Sequence, residues 1–231
     1  MRAARIDAVL LDMGGVLIPE LQSYERSVRD RAFLATLEEH GVAHPEPFVT
    51  EHAKRLREAY RALADECRQP DLELVFADCT PVVRGLLLRA FKREAAPAPY
   101  AHARAVVVEL AHDFALGIVS NNAMPGDHHA RVLRRAGILE HVGCAVWSAN
   151  FGRRKPDPAM ILHVLDQLGV RRERAIFVGD KLRTDVAAAR RARVRSVYIR
   201  KRGAAFATAD LRPDFTISDL RALPVLLRQI A

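Results

Sequence analysis

The chain has 231 residues, 50% of them hydrophobic, which is enough to bury the core of one large domain or of two modest ones. No apolar run reaches the roughly 20 residues of a membrane-spanning helix, and three widely spaced cysteines without a CxxC pair argue against a disulfide framework and against a zinc site. The formal net charge of +8 is spread along the chain as single or paired arginines, without a nucleic-acid-binding motif. We therefore expect a cytoplasmic globular protein with no membrane partner and no specific nucleic-acid partner.

Six short apolar runs rich in β-branched residues predict strands. They cover Ile6–Leu11, Leu116–Val119, Ala145–Trp147, Ala175–Val178, Ser196–Ile199 and Phe215–Ile217. From the second run onward, amphipathic helical segments separate them. This alternation is typical of a parallel sheet with helices on both faces, so we predict an α/β protein with a Rossmann-like core.

The long segment between the first two runs shows only helical patterns. A first helix is predicted from Gln22 to His40, and a second carries an apolar stripe with alternating spacings of four and three residues. The stripe consists of Val49, Ala53, Leu56, Tyr60, Leu63 and Cys67. A third helix begins at Thr80-Pro81 and carries Val82, Val83, Leu86, Leu87 and Phe91. We predict a helical cap domain at residues 18–97, inserted into a core domain of residues 1–17 and 98–231.

The most clearly marked helix lies between the third and fourth strands. Asp157 is its predicted N-cap, Pro158 lies in its first turn and Gly169 ends it. Its buried face is predicted to consist of Met160, Ile161, Val164, Leu165 and Leu168.

Residues that carry chemistry follow four strands in succession. They are Asp12, Ser120-Asn121-Asn122, Lys155-Pro156, and Gly179-Asp180 with Asp185. Ligands of an open parallel sheet bind outside the carboxyl ends of its strands. Each stretch alone is weak evidence, since an Asp after a strand is more often a cap or a turn residue, but the ordered set indicates an active site.

Together these stretches resemble the haloacid dehalogenase-like hydrolase superfamily. The matching segments read LLDMGGVL, LGIVSNN, RRKPDP and FVGDKLRTDVAAA. The likeness extends over residues 1–17 and 98–231, and the helical insert falls where that family has its cap. The wording DMGGVLIP further resembles the phosphatase-like domains at the amino terminus of some epoxide hydrolases.

The resemblance implies a hydrolase of small phosphate monoesters that forms an aspartyl-phosphate. It implies that Asp12 is the nucleophile, that Ser120 donates a hydrogen bond to the phosphoryl group, and that Lys155 neutralises its charge. The implied phosphate-binding residues are Met13, Gly14, Ser120, Asn121 and Lys155. The implied substrate is a small phosphorylated metabolite.

The resemblance also implies a Mg²⁺ cofactor, a cation that prefers oxygen ligands. Its implied ligands are Asp12, Asp180, Asp185 and the backbone carbonyl of Gly14. Asp185 has other interpretations: it orients a metal-bound water, pairs with Lys155, or caps the helix that begins near Thr184.

One residue departs from the pattern of the family. Most of its phosphatases carry a second Asp two residues after the nucleophile, as general acid and base, and this chain has Gly14 there. A positioned acid or base contributes roughly 10²–10⁴-fold to a rate. Three explanations remain open: a phosphatase of substrates with good leaving groups or with an acid from elsewhere, altered chemistry of the dehalogenase or phosphonate-cleaving type, and a weakly active protein that binds a phosphorylated metabolite.

Particular residues bear on these explanations. The candidate substitute acids are Glu20, Tyr24, His128 and His129, although each is also typical of a solvated surface. Phosphonate cleavage requires a cap lysine, and Lys54 and Lys92 both lie in helices rich in charge. Asp180 counts against the dehalogenase branch, which needs no metal. The oligomeric state stays open.

Overall fold

The computed structural model describes residues 5–20, 30–94, 97–123, 126–201, 203 and 211–230, without the side chains of residues 91–94. The strands are β1 (Ala8–Leu11), β2 (Ala115–Ser120), β3 (Cys144–Trp147), β4 (Ala175–Gly179), β5 (Arg195–Ile199) and β6 (Phe215–Ile217). They form one parallel sheet in the order β3-β2-β1-β4-β5-β6. The predicted α/β class and the positions of all six strands are confirmed, with boundaries that differ by at most two residues.

The first strand lies at the centre of this sheet. Leu11 is in register with Ile118 of β2 on one side and with Val178 of β4 on the other. All four residues of β1 are buried, because helices cover both faces of the sheet. The residue that follows β1 is therefore held at the middle of the carboxyl edge.

The described part of residues 18–97 is mainly helical, as predicted. Its helices are α1 (Arg31–Glu39), α2 (Pro45–Ala62), α3 (Leu72–Val75) and α4 (Pro81–Glu94). The Asp30 side chain accepts a hydrogen bond from Ala32 N–H at the start of α1, and the predicted stretch from residue 22 to residue 29 lies outside the described residues.

An apolar cluster of its own holds these four helices together. Its most buried members are Leu37, Phe76 and Leu87. Two separate clusters pack on the two faces of the sheet. The division into a core domain and a cap domain at residues 18–97 stays a prediction.

The predicted stripe of the second helix is wrong in its last part. Helix α2 ends at Ala62, and Cys67 lies beyond it with a φ of 53°. The carbonyl of Cys67 accepts a hydrogen bond from the backbone N–H of Arg154 at 2.8 Å, so contact with the core overrides the helical period here. In α4, Val83, Leu86 and Leu87 are buried, but Val82 is 51% exposed.

The other helices cover the sheet, and the first of them precedes β2 whereas the rest follow it. They are α5 (Ala103–Ala111), α6 (Gly126–Arg135), α7 (Ser148–Phe151), α8 (Ala159–Leu168), α9 (Ala187–Ala192) and α10 (Leu223–Ile230). A π-helical turn occupies Leu182–Val186, and single 3₁₀ turns occupy Leu139–His141, Arg172–Arg174 and Leu220–Ala222. In the part of the chain that the structure describes, none of the helices is both long enough and apolar enough to cross a bilayer.

Helix α8 has the ends that its sequence predicts. The Asp157 side chain accepts a hydrogen bond from Ala159 N–H at 2.7 Å, and Gly169 ends the helix with a φ of 66°. Its residues Met160, Ile161, Val164 and Leu165 are buried as predicted, whereas Leu168 is only half-buried.

Candidate active site

The carboxyl edge of the sheet brings the predicted residues together. Asp12 follows β1, Ser120 ends β2, and Asp180 follows β4. Lys155 comes from the loop after β3 and α7, and Asp185 from the π-helical turn after β4. Parallel strands end at the same edge, which explains why side chains that are distant in sequence meet here.

The Lys155 ammonium is the centre of the site. Its Nζ lies 2.9 Å from Asp12 Oδ1 and 2.8 Å from Asp185 Oδ1, and it donates to the carbonyl of Val119 at 2.9 Å. Burial works to lower the pKa of Lys155, but the two carboxylates outweigh it and raise the pKa above its ordinary value. Lys155 is therefore a fixed positive charge at neutral pH.

The Asn121 side chain makes two hydrogen bonds to the backbone of Lys155. Its side-chain oxygen accepts from Lys155 N–H at 2.8 Å, and its side-chain nitrogen donates to the Lys155 carbonyl at 2.9 Å. The Asn121 side chain thus holds the loop that presents Lys155. Ser120, which is buried, sits opposite Trp147 at the end of β2.

Asp12 is nearly buried, and its charge depends on its neighbours. Burial raises the pKa of Asp12 to about 6, against the opposing effect of Lys155, while Asp185 and Asp180 raise it further. The carboxylate is ionised at pH 7, but at a free-energy cost. A bound cation would relieve that cost.

Asp180 has one oxygen paired and one available. Its Oδ2 lies 2.6 Å from the Nζ of Lys201, and its Oδ1 is buried without a hydrogen-bond partner among the described residues. Burial raises the pKa of Asp180, which the Lys201 ammonium lowers in part. A buried carboxylate oxygen without a partner suits a metal ligand.

Asp185 has both of its oxygens engaged. Oδ2 accepts from the backbone N–H groups of Asp180 at 3.1 Å and Lys181 at 2.9 Å, and Oδ1 contacts Lys155. The interpretation as the N-cap of the following helix is wrong, because these N–H groups precede Asp185. The pairing with Lys155 is the interpretation that these contacts favour.

Two glycines allow the close packing of these acids. A Cβ on Gly179 would lie 2.3 Å from the Cβ of Asp185, and a Cβ on Gly15 would lie 2.0 Å from Asp180 Oδ2. Gly15 also has a φ of 76°, which side-chain-bearing residues rarely adopt. Both positions are therefore restricted to glycine.

Gly14 is different, because a Cβ there would have no atom within 4 Å. The missing acid is therefore not a consequence of lack of space. The preceding residue, Met13, is buried, and its carbonyl accepts from Leu17 N–H at 2.9 Å within the loop that carries Gly14.

The residues present fit a divalent cation. Ligand atoms of Asp12, Asp180 and Asp185 all lie within 4.8 Å of one another. Two observations point to Asp12 and Asp180 as the main ligands. One Asp180 oxygen has no hydrogen-bond partner among the described residues, and burial raises the pKa of Asp12, so that its ionised carboxylate would gain from a bound cation. Hard oxygen donors of this type favour Mg²⁺ over softer metals.

The candidate substitute acids are placed less favourably. The Glu20 side chain is 56% exposed and lies 2.9 Å from Lys181 Nζ, whose hydrogen bond lowers the pKa of Glu20. An ionised Glu20 is a poor proton donor at neutral pH. His129 is buried in α6 and stacks on Trp147, His128 is half-buried beside it, and Tyr24 lies outside the described residues.

Sequence reasoning misses Lys201 and the contact between cap and core. Lys201 follows β5, so the strand-end rule that finds Asp12 and Asp180 would have found it. Gln69, between α2 and α3, lies with its side-chain oxygen 2.8 Å from the hydroxyl of Ser148 at the end of β3. The same hydroxyl accepts from the backbone N–H of Asn122 at 2.9 Å, so the helical segment is tied to the loop after β2.

Comparisons with known proteins identify the family of this chain. The family model of the haloacid dehalogenase-like hydrolases matches residues 6–193. A phosphoserine phosphatase of Thermus thermophilus is 34% identical over 137 residues, which are 58% of this chain and 54% of that protein. A glyceraldehyde 3-phosphate phosphatase of Methanopyrus kandleri is 34% identical over 102 residues, which are 43% of this chain and 44% of that protein. The alignments thus span about half the length of these relatives.

A solved structure resembles the chain over its whole length. The crystal structure of a 2-haloacid dehalogenase from Pseudomonas syringae pv. Tomato has a TM-score of 0.73 and 25% sequence identity, and the match covers 98% of this chain and 100% of that one. The sheet and the inserted helices therefore have a counterpart in a protein of known structure.

Proposed function

The chain belongs to the haloacid dehalogenase-like hydrolase family, and from this premise we propose that it is a Mg²⁺-dependent hydrolase of small phosphate monoesters that forms an aspartyl-phosphate. The observation that carries the proposal is the contact of Asp12 with the buried Lys155 ammonium, together with an Asp180 oxygen that has no hydrogen-bond partner in the described part of the chain. A nucleophilic carboxylate, a fixed cation and a free oxygen ligand are the groups that phosphoryl transfer needs.

In this mechanism Asp12 attacks phosphorus, the bond from phosphorus to the leaving oxygen breaks, and that oxygen takes its proton from solvent. Lys155 holds the carboxylate in place before the attack and neutralises phosphoryl charge as it develops. Ser120 would donate a hydrogen bond to a phosphoryl oxygen, and backbone N–H groups at Met13, Gly14 and Asn121 would line the same pocket. Water then hydrolyses the aspartyl-phosphate and restores Asp12.

Asp12, Asp180 and the carbonyl of Gly14 would hold Mg²⁺. When bound, the cation would neutralise phosphoryl charge and orient the phosphate. Asp185 supports this site as a positioning residue, because it fixes Lys155 with one oxygen and the Asp180–Lys181 backbone with the other.

Gly14 makes the leaving group important. With no acid at this position, the substrate oxygen leaves without a proton from the side chain that usually supplies it, and phosphates with good leaving groups are favoured. The two relatives are named for phosphoserine and glyceraldehyde 3-phosphate, which supports small metabolites as the substrate class. The helical segment, at residues 18–97, would select among them.

A dehalogenase reaction is the second candidate, favoured by the likeness to the Pseudomonas syringae structure and by Gly14. In that reaction Asp12 would displace a halide from carbon. The Asp180 oxygen without a partner argues against it, since displacement of halide needs no metal. Halide release from a 2-haloacid without phosphate release from any ester would establish this alternative. Phosphonate cleavage and a binding role without turnover lack a supporting observation of this kind.

The test is phosphate release from an aryl phosphate and from a panel of sugar, acyl and amino-acid phosphates, with and without Mg²⁺. Asp12→Asn is the blank, and Asp7→Asn is the matched control, because it makes the same change at the other end of β1. Metal-dependent turnover that is lost in the blank and kept in the control supports the proposal. Turnover that persists in Asp12→Asn contradicts it.

A further inference from the structure

We propose that the helical segment holds a second metal site, for Zn²⁺, formed by His52, Asp78 and Cys79. Their ligand atoms all lie within 4.8 Å of one another. His52 belongs to α2, whereas Asp78 and Cys79 lie in the turn before α4. The site is distinct from the carboxylate site of the sheet edge and plays no part in the proposed phosphatase chemistry.

The distances fit a tetrahedral transition metal. His52 Nε2 lies 3.2 Å from Cys79 Sγ, and Cys79 Sγ lies 3.9 Å from Asp78 Oδ1. Zn–S and Zn–N bonds of about 2.3 and 2.0–2.1 Å separate such ligand atoms by roughly 3.5 Å in a tetrahedral site. The two distances to Cys79 Sγ therefore lie within a few tenths of an ångström of the tetrahedral value, and the ligand atoms of His52 and Asp78 lie within 4.8 Å of each other.

The surrounding contacts orient each ligand. His52 Nδ1 lies 2.7 Å from the carbonyl of Phe48, so the ring donates there and leaves the lone pair of Nε2 directed at Cys79. A backbone carbonyl on the other nitrogen is the usual outer partner of a metal-binding histidine. Asp78 divides its oxygens in the same way, with Oδ2 bonded to Arg55 and Oδ1 near the thiol.

Ligand chemistry and access favour zinc over the hard cations. A thiol, an imidazole and a carboxylate form a mixed S, N, O set that suits Zn²⁺ and is poor for Mg²⁺. His52 is buried, but an open groove reaches all three residues and is also lined by His40 and His44. A fourth ligand, from solvent or from one of these histidines, can enter by this groove.

The consequence is a fixed cap. The cluster joins the middle of α2 to the turn before α4, and a metal would add a cross-link to the apolar packing and to the Arg55–Asp78 ion pair that already connect these segments. The lack of a CxxC pair in the sequence argues only against zinc sites that are built on a cysteine pair. A single cysteine with a histidine 27 residues earlier in the chain leaves no such spacing signal.

The test is Zn²⁺ binding by the purified full chain in excess Mg²⁺, which occupies the carboxylate site, followed by native mass spectrometry and by Co²⁺ substitution. We expect one tightly bound Zn²⁺ per chain and a thiolate-to-cobalt charge-transfer band. Cys79→Ser and His52→Gln should each weaken binding at least about tenfold. Cys144→Ser, which removes another half-buried thiol, should leave binding unchanged.

A second measurement does not depend on the folding of a variant. In the unaltered chain, Zn²⁺ should protect Cys79 from alkylation, as mapped by peptide mass spectrometry, and leave Cys144 as reactive as before. The proposal is overturned if the chain binds no Zn²⁺ under these conditions, if Cys79→Ser binds it equally well, or if Zn²⁺ leaves Cys79 unprotected.

Discussion

Removal of the Asp12 charge should stabilise the metal-free protein. Burial raises the pKa of Asp12 from its ordinary 3.8 to about 6. One pKa unit is worth about 1.4 kcal/mol, so the ionised carboxylate costs the fold about 3 kcal/mol at pH 7.5. Asn has the shape of the neutral acid and avoids that cost. Asp12→Asn should therefore raise the free energy of unfolding by about 3 kcal/mol in a chelator.

The pH dependence gives the sign of the effect. Because the folded pKa of Asp12 lies above the unfolded value, protonation favours the fold: this contribution is complete below pH 3.8 and is lost as the pH rises through about 6. The advantage of Asn should therefore shrink to less than about 1 kcal/mol at pH 4. Saturating Mg²⁺ should also reduce it, because only the unaltered site binds the cation well.

Urea unfolding at pH 4, 6 and 7.5, with a chelator and with Mg²⁺, measures these differences. Asp7→Asn, which makes the same change at a carboxylate outside the candidate site, is again the control. If Asp12→Asn proves less stable than the unaltered chain at pH 7.5 in chelator, the cost assigned to the buried charge is wrong.

Three further changes test other parts of the site. Gly14→Asp places an acid where a side chain has open space, and it should raise kcat/KM for alkyl phosphates more than for aryl phosphates, whose leaving groups need a proton less. Equal gains in steady-state kinetics would show that protonation of the leaving group is not limiting. Lys201→Met removes the ammonium group that would compete with Mg²⁺ for Asp180, so calorimetric titration should show Mg²⁺ binding several-fold tighter. Unchanged or weaker binding of Mg²⁺ would show that Lys201 does not compete with it. Gly179→Ala forces a methyl group against Asp185 and should cost about 1–3 kcal/mol in urea unfolding, whereas Gly14→Ala should cost far less; equal losses would contradict the packing described.

The sheet was predictable because its strands are buried on both faces and read as continuous apolar runs. The positions of the candidate site residues were predictable for the same reason, since a polar residue directly after such a run lies at the carboxyl edge. Asp12, Ser120 and Asp180 could all be placed in this way.

Contacts between distant segments of the chain could not be predicted from the pattern of apolar runs. The period of α2 continues in the sequence up to Cys67, but the turn there bonds to Arg154 and ends the helix earlier. The role of Asp185 depends on which atoms face its two oxygens, which spacing does not determine. The same holds for the contact of Lys201 with Asp180.

The aspartyl-phosphate is tested most directly by trapping it during turnover. Hydroxylamine attacks acyl phosphates irreversibly, so the adduct accumulates even when the intermediate is short-lived. With an aryl phosphate and Mg²⁺, peptide mass spectrometry should find the hydroxamate at Asp12 and at no other carboxylate. Steady release of phosphate with Asp12 unmodified would contradict the proposed mechanism.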